Sequence, residues 1–320
     1  MRRMTLFTTA LLAAAVLSAA GGCGQTAPAG PPAEATKVVQ IIKDKFPDTP
    51  TLDGGGGPGP VQEATGTTNI RGRFVLADGA AIPARGAIDV CKPGGQPVPD
   101  ESLLVDAGSR GIKNVVVYLF TKNNSIGWTD DVPAPPEATS LPDDLDGKDP
   151  ANQADFDQQF CIFKTRVLPL RIGKTLKIIN SDSFGHNTNI TSITNPVVGA
   201  KDSILYKFNA EANYPIPVSC NIHSYMKSFI LPRVNGYVAV TDKDGNFEIK
   251  NLPTGIELSF MVWHESSASL GGKLVLDVDD KKSINTLLWN TKTKGRFIIT
   301  LDPGKPVDFG DVAVPLSAFK

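Results

Sequence analysis

Cys220, His223 and Met226 stand in the spacing Cys-x2-His-x2-Met within Cys220-Asn221-Ile222-His223-Ser224-Tyr225-Met226, and a further histidine lies upstream in Phe184-Gly185-His186-Asn187. A thiolate, two imidazoles and a weak thioether together suit a metal that cycles between two oxidation states, copper above all. The whole chain holds 3 His, 4 Cys and 4 Met, with Met1 and Met4 at the extreme N-terminus. One short loop therefore gathers donors that the rest of the chain almost lacks. Its spacing lets a single connection between two strands present Cys220, His223 and Met226 to one point, with His186 arriving from a neighbouring strand end. Zinc fits less well, because structural zinc sites recruit Cys and His without a thioether.

The N-terminus sets the chemical surroundings of these donors. Arg2 and Arg3 precede an apolar run from Leu6 to Ala20 that passes into Gly21-Gly22-Cys23, the pattern of an export signal. Cys23 after small residues resembles the lipobox of bacterial lipoproteins, in which the cysteine becomes the lipidated N-terminus. Ala20 takes the place of the usual leucine, and ordinary secretion with cleavage near Ala20 is the alternative. No later run approaches the roughly 18 apolar residues that a spanning helix needs. Export exposes thiols to oxidation, so each cysteine needs a partner or a task. With Cys23 lipidated and Cys220 on a metal, Cys91 and Cys161 are left to pair with each other. Pairing of Cys220 with either one would remove the metal-binding thiolate, and the sequence leaves that choice open.

The elements that carry the loop are expected to be β-strands. Residues 24–65 read as a disordered tether, with the Gly54-Gly55-Gly56-Gly57-Pro58-Gly59-Pro60 run unable to bury a core; Ala35–Phe46 inside it has the periodicity of a short amphipathic helix. From Thr67 onward short β-rich runs are punctuated by Gly, Asp and Pro. Strands are expected at 70–76, 114–120, 176–180, 187–193, 204–208, 237–241, 247–249, 258–263, 274–278 and 297–301. This pattern predicts an all-β chain of two small sandwiches. Residues 123–159, rich in Pro and Asp, read as a surface excursion, with Asp143, Asp144, Asp146 and Asp149 as solvated charge rather than a calcium site. Asp244-Gly245 reads as a hairpin turn. With 32 basic and 33 acidic residues, the chain has no electrostatic footprint for nucleic acid.

Residues 112–234 resemble the cupredoxins, the small blue-copper proteins, with a ligand loop similar in length to that of amicyanins. The likeness includes Leu170-Arg171-Ile172-Gly173-Lys174-Thr175-Leu176, Asn180-Ser181-Asp182 ahead of the histidine, and Asn187 after it. The resemblance implies a Greek-key β-sandwich and one type 1 copper, with His186, Cys220 and His223 as equatorial ligands, Met226 as the weak axial ligand and Asn187 bracing the ligand loop. Asn221-Ile222 replaces the family's Pro-containing spacer, and Pro215 and Pro217 are placed to stiffen the approach instead. Gly236–Gly255, Gly72-Arg73-Phe74-Val75 and Asn114–Leu119 resemble a transthyretin-like, carboxypeptidase-regulatory-like sandwich, and 100–119 resembles exported methylamine-utilisation-like proteins.

The expected organisation is a signal peptide at 1–23, a linker at 24–65, flanking-sandwich strands at 66–111, the cupredoxin-like unit at 112–234 and the second sandwich at 235–320. The cupredoxin-like unit either follows that sandwich or is inserted in it. Three histidines are too few for a multicopper oxidase, and a binuclear centre would need a second cysteine in the loop. The expected role is therefore a non-enzymatic one-electron carrier in the periplasm or at the cell surface, tethered by lipid. Its partner would be a redox protein such as a c-type cytochrome or an exported oxidoreductase. A copper-free adhesion or binding protein and a copper capture or delivery protein are the competing readings. Trp263-His264-Glu265, without a nucleophile or oxyanion arrangement, reads as structural, as do Trp128 and Trp289.

Overall fold

In Glu257–Trp263 the side chains of Leu258 and Phe260 alternate with outward residues before the strand becomes buried throughout, the mark of a strand at the centre of a sheet. This strand lies between Val116–Leu119 and Arg296–Thr300, and Val238–Val240 completes the sheet on the far side of Val116–Leu119, all neighbours antiparallel. A second sheet runs Asn246–Pro253, Thr67–Leu76, Val307–Val314, the last pair parallel. One apolar core joins the two: Phe260 stacks on Phe297 at 5.0 Å, and Phe247 meets Phe74 at 5.4 Å and Phe309 at 6.4 Å. Burying a large side chain of this kind contributes about 2–3 kcal/mol.

These relations come from a computed structural model that describes residues 62–88, 97–120, 126–127, 153–276 and 295–320. The expectations for Cys23, the tether as far as residue 61, Cys91, Trp128, the Asp143–Asp149 cluster and Trp289 lie outside the described residues; the last residues assigned to the tether are folded, with Gln62–Glu63 paired to Ile126–Gly127 and Ala64 buried in the outer core. No helix among the described residues is long and apolar enough to cross a membrane.

A second sandwich is inserted in the first. The chain leaves the outer sheet after Leu119 and returns in register at Val238, which pairs with Tyr118. Between these points stand two sheets, Ser203–Lys207, Thr175–Asn180, Gln153–Gln159, Ile162–Phe163 in one and Asn189–Ile190, Ile216–Ser219, Lys227–Arg233, Val167–Arg171 in the other. Leu176, Ile178, Phe156 and Phe163 meet Leu168, Val218 and Ile230 in a separate core. The chain is thus all-β with two sandwiches, one nested in the sequence of the other.

Several local expectations need correction. Val116–Leu119 fell inside the 112–234 bounds but was also likened to the flanking sandwich; it pairs in the outer sheet, as that likeness implies, and all four of its residues are buried. Gln153–Gln159, read as the end of a surface excursion, is a strand in parallel pairing with Thr175–Asn180. Its inward residues are Ala154, Phe156 and Gln158, while Asp155 and Asp157 face outward. The expected strand at 187–193 is instead two short ones, His186–Asn187 against Val197–Val198 and Asn189–Ile190 against Ile216–Ser219. The turn at Asp244-Gly245 forms, with Gly245 N–H donating to Asp242 O at 3.1 Å, but it passes the chain from one outer sheet to the other and is not a hairpin. Leu274–Leu276 joins no sheet beyond the Trp263–Lys273 bridge.

The two sandwiches share a third apolar cluster, with Val116, Tyr118, Met261 and Trp263 of the outer sandwich against Val167 and Leu231 of the inserted one. Buried Arg233 donates to the carbonyls of Leu119 and Ala212 and pairs with Glu211 at 2.9 Å. Its guanidinium also lies 5.1 Å from the Tyr118 ring centre. A buried cation with this many partners meets the condition under which burying charge is tolerable.

Candidate metal centre

Ser219 and Lys227 are partners across the antiparallel pair of Ile216–Ser219 and Lys227–Arg233. The segment Cys220–Met226 is therefore the connection between two adjacent strands, as its spacing predicts. Cys220 N–H donates to Met226 O at 3.3 Å and Met226 N–H to His223 O at 2.9 Å; these bonds curl the loop so that its side chains converge. On the neighbouring strand Asn189 pairs with Ser219, which brings His186 and Asn187 beside Cys220.

The outcome is a tight donor group: ligand atoms of His186, Cys220 and His223 all lie within 4.8 Å of one another. His186 Nδ1 is 3.0 Å from His223 Nδ1, and Cys220 Sγ is 3.9 Å and 3.8 Å from those two nitrogens. His186 and Cys220 are buried and His223 is half-buried. Met226 is 1% exposed and packs in the same apolar cluster as Cys220. A thiol and two ring nitrogens facing each other, with a buried thioether in the same loop, fit a soft or borderline metal ion.

Hydrogen bonds fix the orientation of each donor. Asp182 Oδ2 holds His186 Nε2 at 2.8 Å, which aims the ring's Nδ1 toward Cys220, the usual device by which a carboxylate orients a histidine. Asp182 is itself held by the N–H groups of Phe160 at 2.8 Å and Cys161 at 3.0 Å. Those two residues have φ of 56° and 59° and form the two-residue turn between Gln159 and Ile162. Asn180 Nδ2 donates to the carbonyls of Phe184, Val198 and Gly199, clamping the approach to His186. Asn187 Oδ1 accepts from the amides of Asn221 at 2.7 Å and Ile222 at 3.3 Å and from Cys220 Sγ at 3.3 Å, while its Nδ2 donates to Asn195 Oδ1 at 2.5 Å.

The same contacts set the protonation of the group. Burial alone would raise the Cys220 thiol, but hydrogen bonds from the His186 ring, the backbones of Asn187 and His223 and the His223 ring bring it down to about 6. A thiolate is the metal-binding form of cysteine. Burial opposes charge on His186, yet its bonds to Cys220 and Asp182 hold its pKa above the ordinary value. Burial likewise disfavours charge on Asp182, but the Cys161 N–H, the His186 ring and the Phe160 N–H keep its carboxyl below the usual range.

Of the remaining sequence candidates, Cys161 is buried and disulfide-bonded, while Cys220 is free. His264 is buried in the outer sandwich, its Nδ1 accepting from Ser266 N–H at 3.2 Å and its ring 5.2 Å from Phe319. Glu265 forms a two-pronged ion pair with Arg166. Ile222 and Ser224 are exposed beside half-buried Tyr225. Phe184, not singled out from sequence, packs against both histidines, at 5.2 Å from His186 and 5.7 Å from His223. Asp182, Asn195 and Asn180 also hold the site; only Asn180-Ser181-Asp182 left a trace in the sequence, as a triplet ahead of His186.

No protein-family model matches the chain, and no curated protein matches it. Among solved structures, a copper-containing nitrite reductase from Thermus scotoductus SA-01 is 20% identical over 25% of this chain and 22% of its own length, with a TM-score of 0.23. An oxidised proline mutant of amicyanin is 15% identical over 27% of this chain and 87% of its own, with a TM-score of 0.24. Another oxidised amicyanin mutant is 16% identical over 32% of this chain and 96% of its own, with a TM-score of 0.24. The chain spans about a fifth of the reductase's length.

Proposed function

We infer that this protein is a one-electron carrier with a single copper ion, its inserted sandwich a cupredoxin. The observation that supports the reading best is the convergence of His186, Cys220 and His223 within 4.8 Å, in a loop closed between paired strands. His186 Nδ1, Cys220 Sγ, His223 Nδ1 and the Met226 thioether would hold the ion. When bound, copper supplies the one-electron couple. The chain's own part is to keep those donors fixed, since a site braced by Asp182, Asn187 and the Ser219–Lys227 ladder has little freedom to rearrange when the charge changes. The buried side chains exclude water from His186 and Cys220, while half-buried His223, with Phe184 and Ile222 exposed nearby, offers the shortest route for an electron to a docked redox protein.

A carrier rather than an enzyme is favoured because the third and last histidine, His264, is buried and engaged elsewhere. Pairing of Cys91 with Cys161 belongs to the same proposal, as do export, lipid attachment at Cys23 and residence in the periplasm or at the cell surface. Voltammetry of the full chain loaded with one equivalent of copper tests the role. A reversible one-electron wave with copper retained in both states is expected; loss of copper on reduction would instead identify a delivery protein.

A further inference from the structure

The ligand loop is held from outside its own sandwich. Arg166 donates through Nε and Nη2 to the two carboxylate oxygens of Glu265, both at 2.5 Å, and through Nη1 to the carbonyl of Lys227 at 2.9 Å. Lys227 is the residue after Met226, and it opens the strand that leaves the loop. Glu265 belongs to the outer sandwich, two residues past the end of Glu257–Trp263. The backbone before Arg166 closes on the same strand: Phe229 N–H and Ser228 Oγ donate to Arg166 O at 2.9 and 3.1 Å, and Ser228 Oγ also to Thr165 O at 2.6 Å. Behind this clasp the Phe229 ring meets the Trp263 ring of the outer sandwich at 4.8 Å.

We propose that Arg166 and Glu265 are a positioning pair, through which the outer sandwich fixes where the outgoing end of the ligand loop, and with it Met226, stands. The Arg166 and Glu265 side chains are only 12% and 7% exposed. A buried ion pair is seldom worth more in stability than apolar side chains of the same volume. What it supplies is direction: the planar guanidinium has its prongs on one carboxylate and a separate donor on one backbone carbonyl, an arrangement that lysine cannot reproduce. Because Cys220 N–H is bonded to Met226 O, a shift of the loop's exit is passed to the thiolate as well. The role of Glu265 toward the metal rests on the copper reading; its role toward the loop does not.

The test uses the full chain with Arg166→Lys, Glu265→Gln and the apolar double variant Arg166→Met/Glu265→Leu. In metal-free protein, amide exchange at Met226 should quicken about tenfold in all three, with Ile178 in the core strand unchanged. In copper-loaded protein, release of the ion should quicken by about tenfold, the scale typical of lost support around metal ligands, with an altered EPR spectrum. The double variant separates positioning from mere stability: its melting temperature should recover toward wild type while the fast exchange and altered spectrum persist. Exchange at Met226 equal to wild type in Arg166→Lys and in the double variant would overturn the proposal, as would recovery of the spectrum together with stability. A wild-type chain that takes up no copper would defeat the functional reading, and the exchange arm would still judge the pair.

Discussion

Asn187 Oδ1 satisfies two backbone amides of the ligand loop and meets the Cys220 thiol, while its Nδ2 is tied to Asn195. Replacing it with alanine removes the acceptor and leaves those amides without a partner, a loss of about 1–3 kcal/mol. We expect Asn187→Ala to lower the denaturant midpoint accordingly and to weaken copper binding about 10–100-fold in a chelator competition. Unchanged affinity would show that the loop holds its shape without this bracket. Cys220, His223 and Met226 were legible in the sequence because their spacing is local, and His186, 34 positions before Cys220, because histidine is rare in this chain. Asp182 was not legible as the partner of His186, since their contact depends on a turn in which Phe160 and Cys161 adopt left-handed backbone. Arg166 and Glu265 are 99 positions apart, and no local pattern joins them.

The turn at 242–246 carries the chain between the two outer sheets, and it admits little variation. Gly245 has φ +83°, and a Cβ placed there would lie 2.1 Å from Phe74 O. Gly245→Ala should therefore destabilise the outer sandwich by about 2 kcal/mol or more, as strain in the left-handed region adds to a backbone clash; urea titration measures it. The strands flanking this turn were recognised as short β-rich runs on either side of the Asp244-Gly245 turn signal. The strands that escaped notice did so for physical reasons. Gln153–Gln159 shows only polar residues to solvent and lies in an acidic stretch. Val167–Arg171 and Lys227–Arg233 contain Pro169 and Pro232, which normally argue against a strand within a sheet. Here each proline takes its place in the parallel pairing, Pro169 against Leu231 and Pro232 against Leu170.

Insertion of one sandwich into the other joins them through two chain crossings, a shared apolar cluster and the contacts of half-buried Arg166 and buried Arg233. The outer sandwich also carries a titratable group that reports on the integrity of the fold. Burial lowers His264 to about 4, helped by the nearby Arg166 charge against a backbone hydrogen bond to Lys113. In the unfolded chain the same histidine takes its proton near pH 6.5. Between these values the unfolded state binds the extra proton, so about 3 kcal/mol of stability present above pH 6.5 should be lost as pH falls toward 4. Subtracting the urea midpoints of His264→Gln from those of wild type across that range isolates this contribution; parallel profiles would contradict it. The central claim is that a free thiolate at Cys220 binds copper beside His186 and His223. Absorption and EPR spectra of the oxidised, copper-loaded chain beside Cys220→Ser test it most directly. An intense visible thiolate-to-copper band is expected in wild type and absent from the variant; a wild-type spectrum without that band would contradict the account.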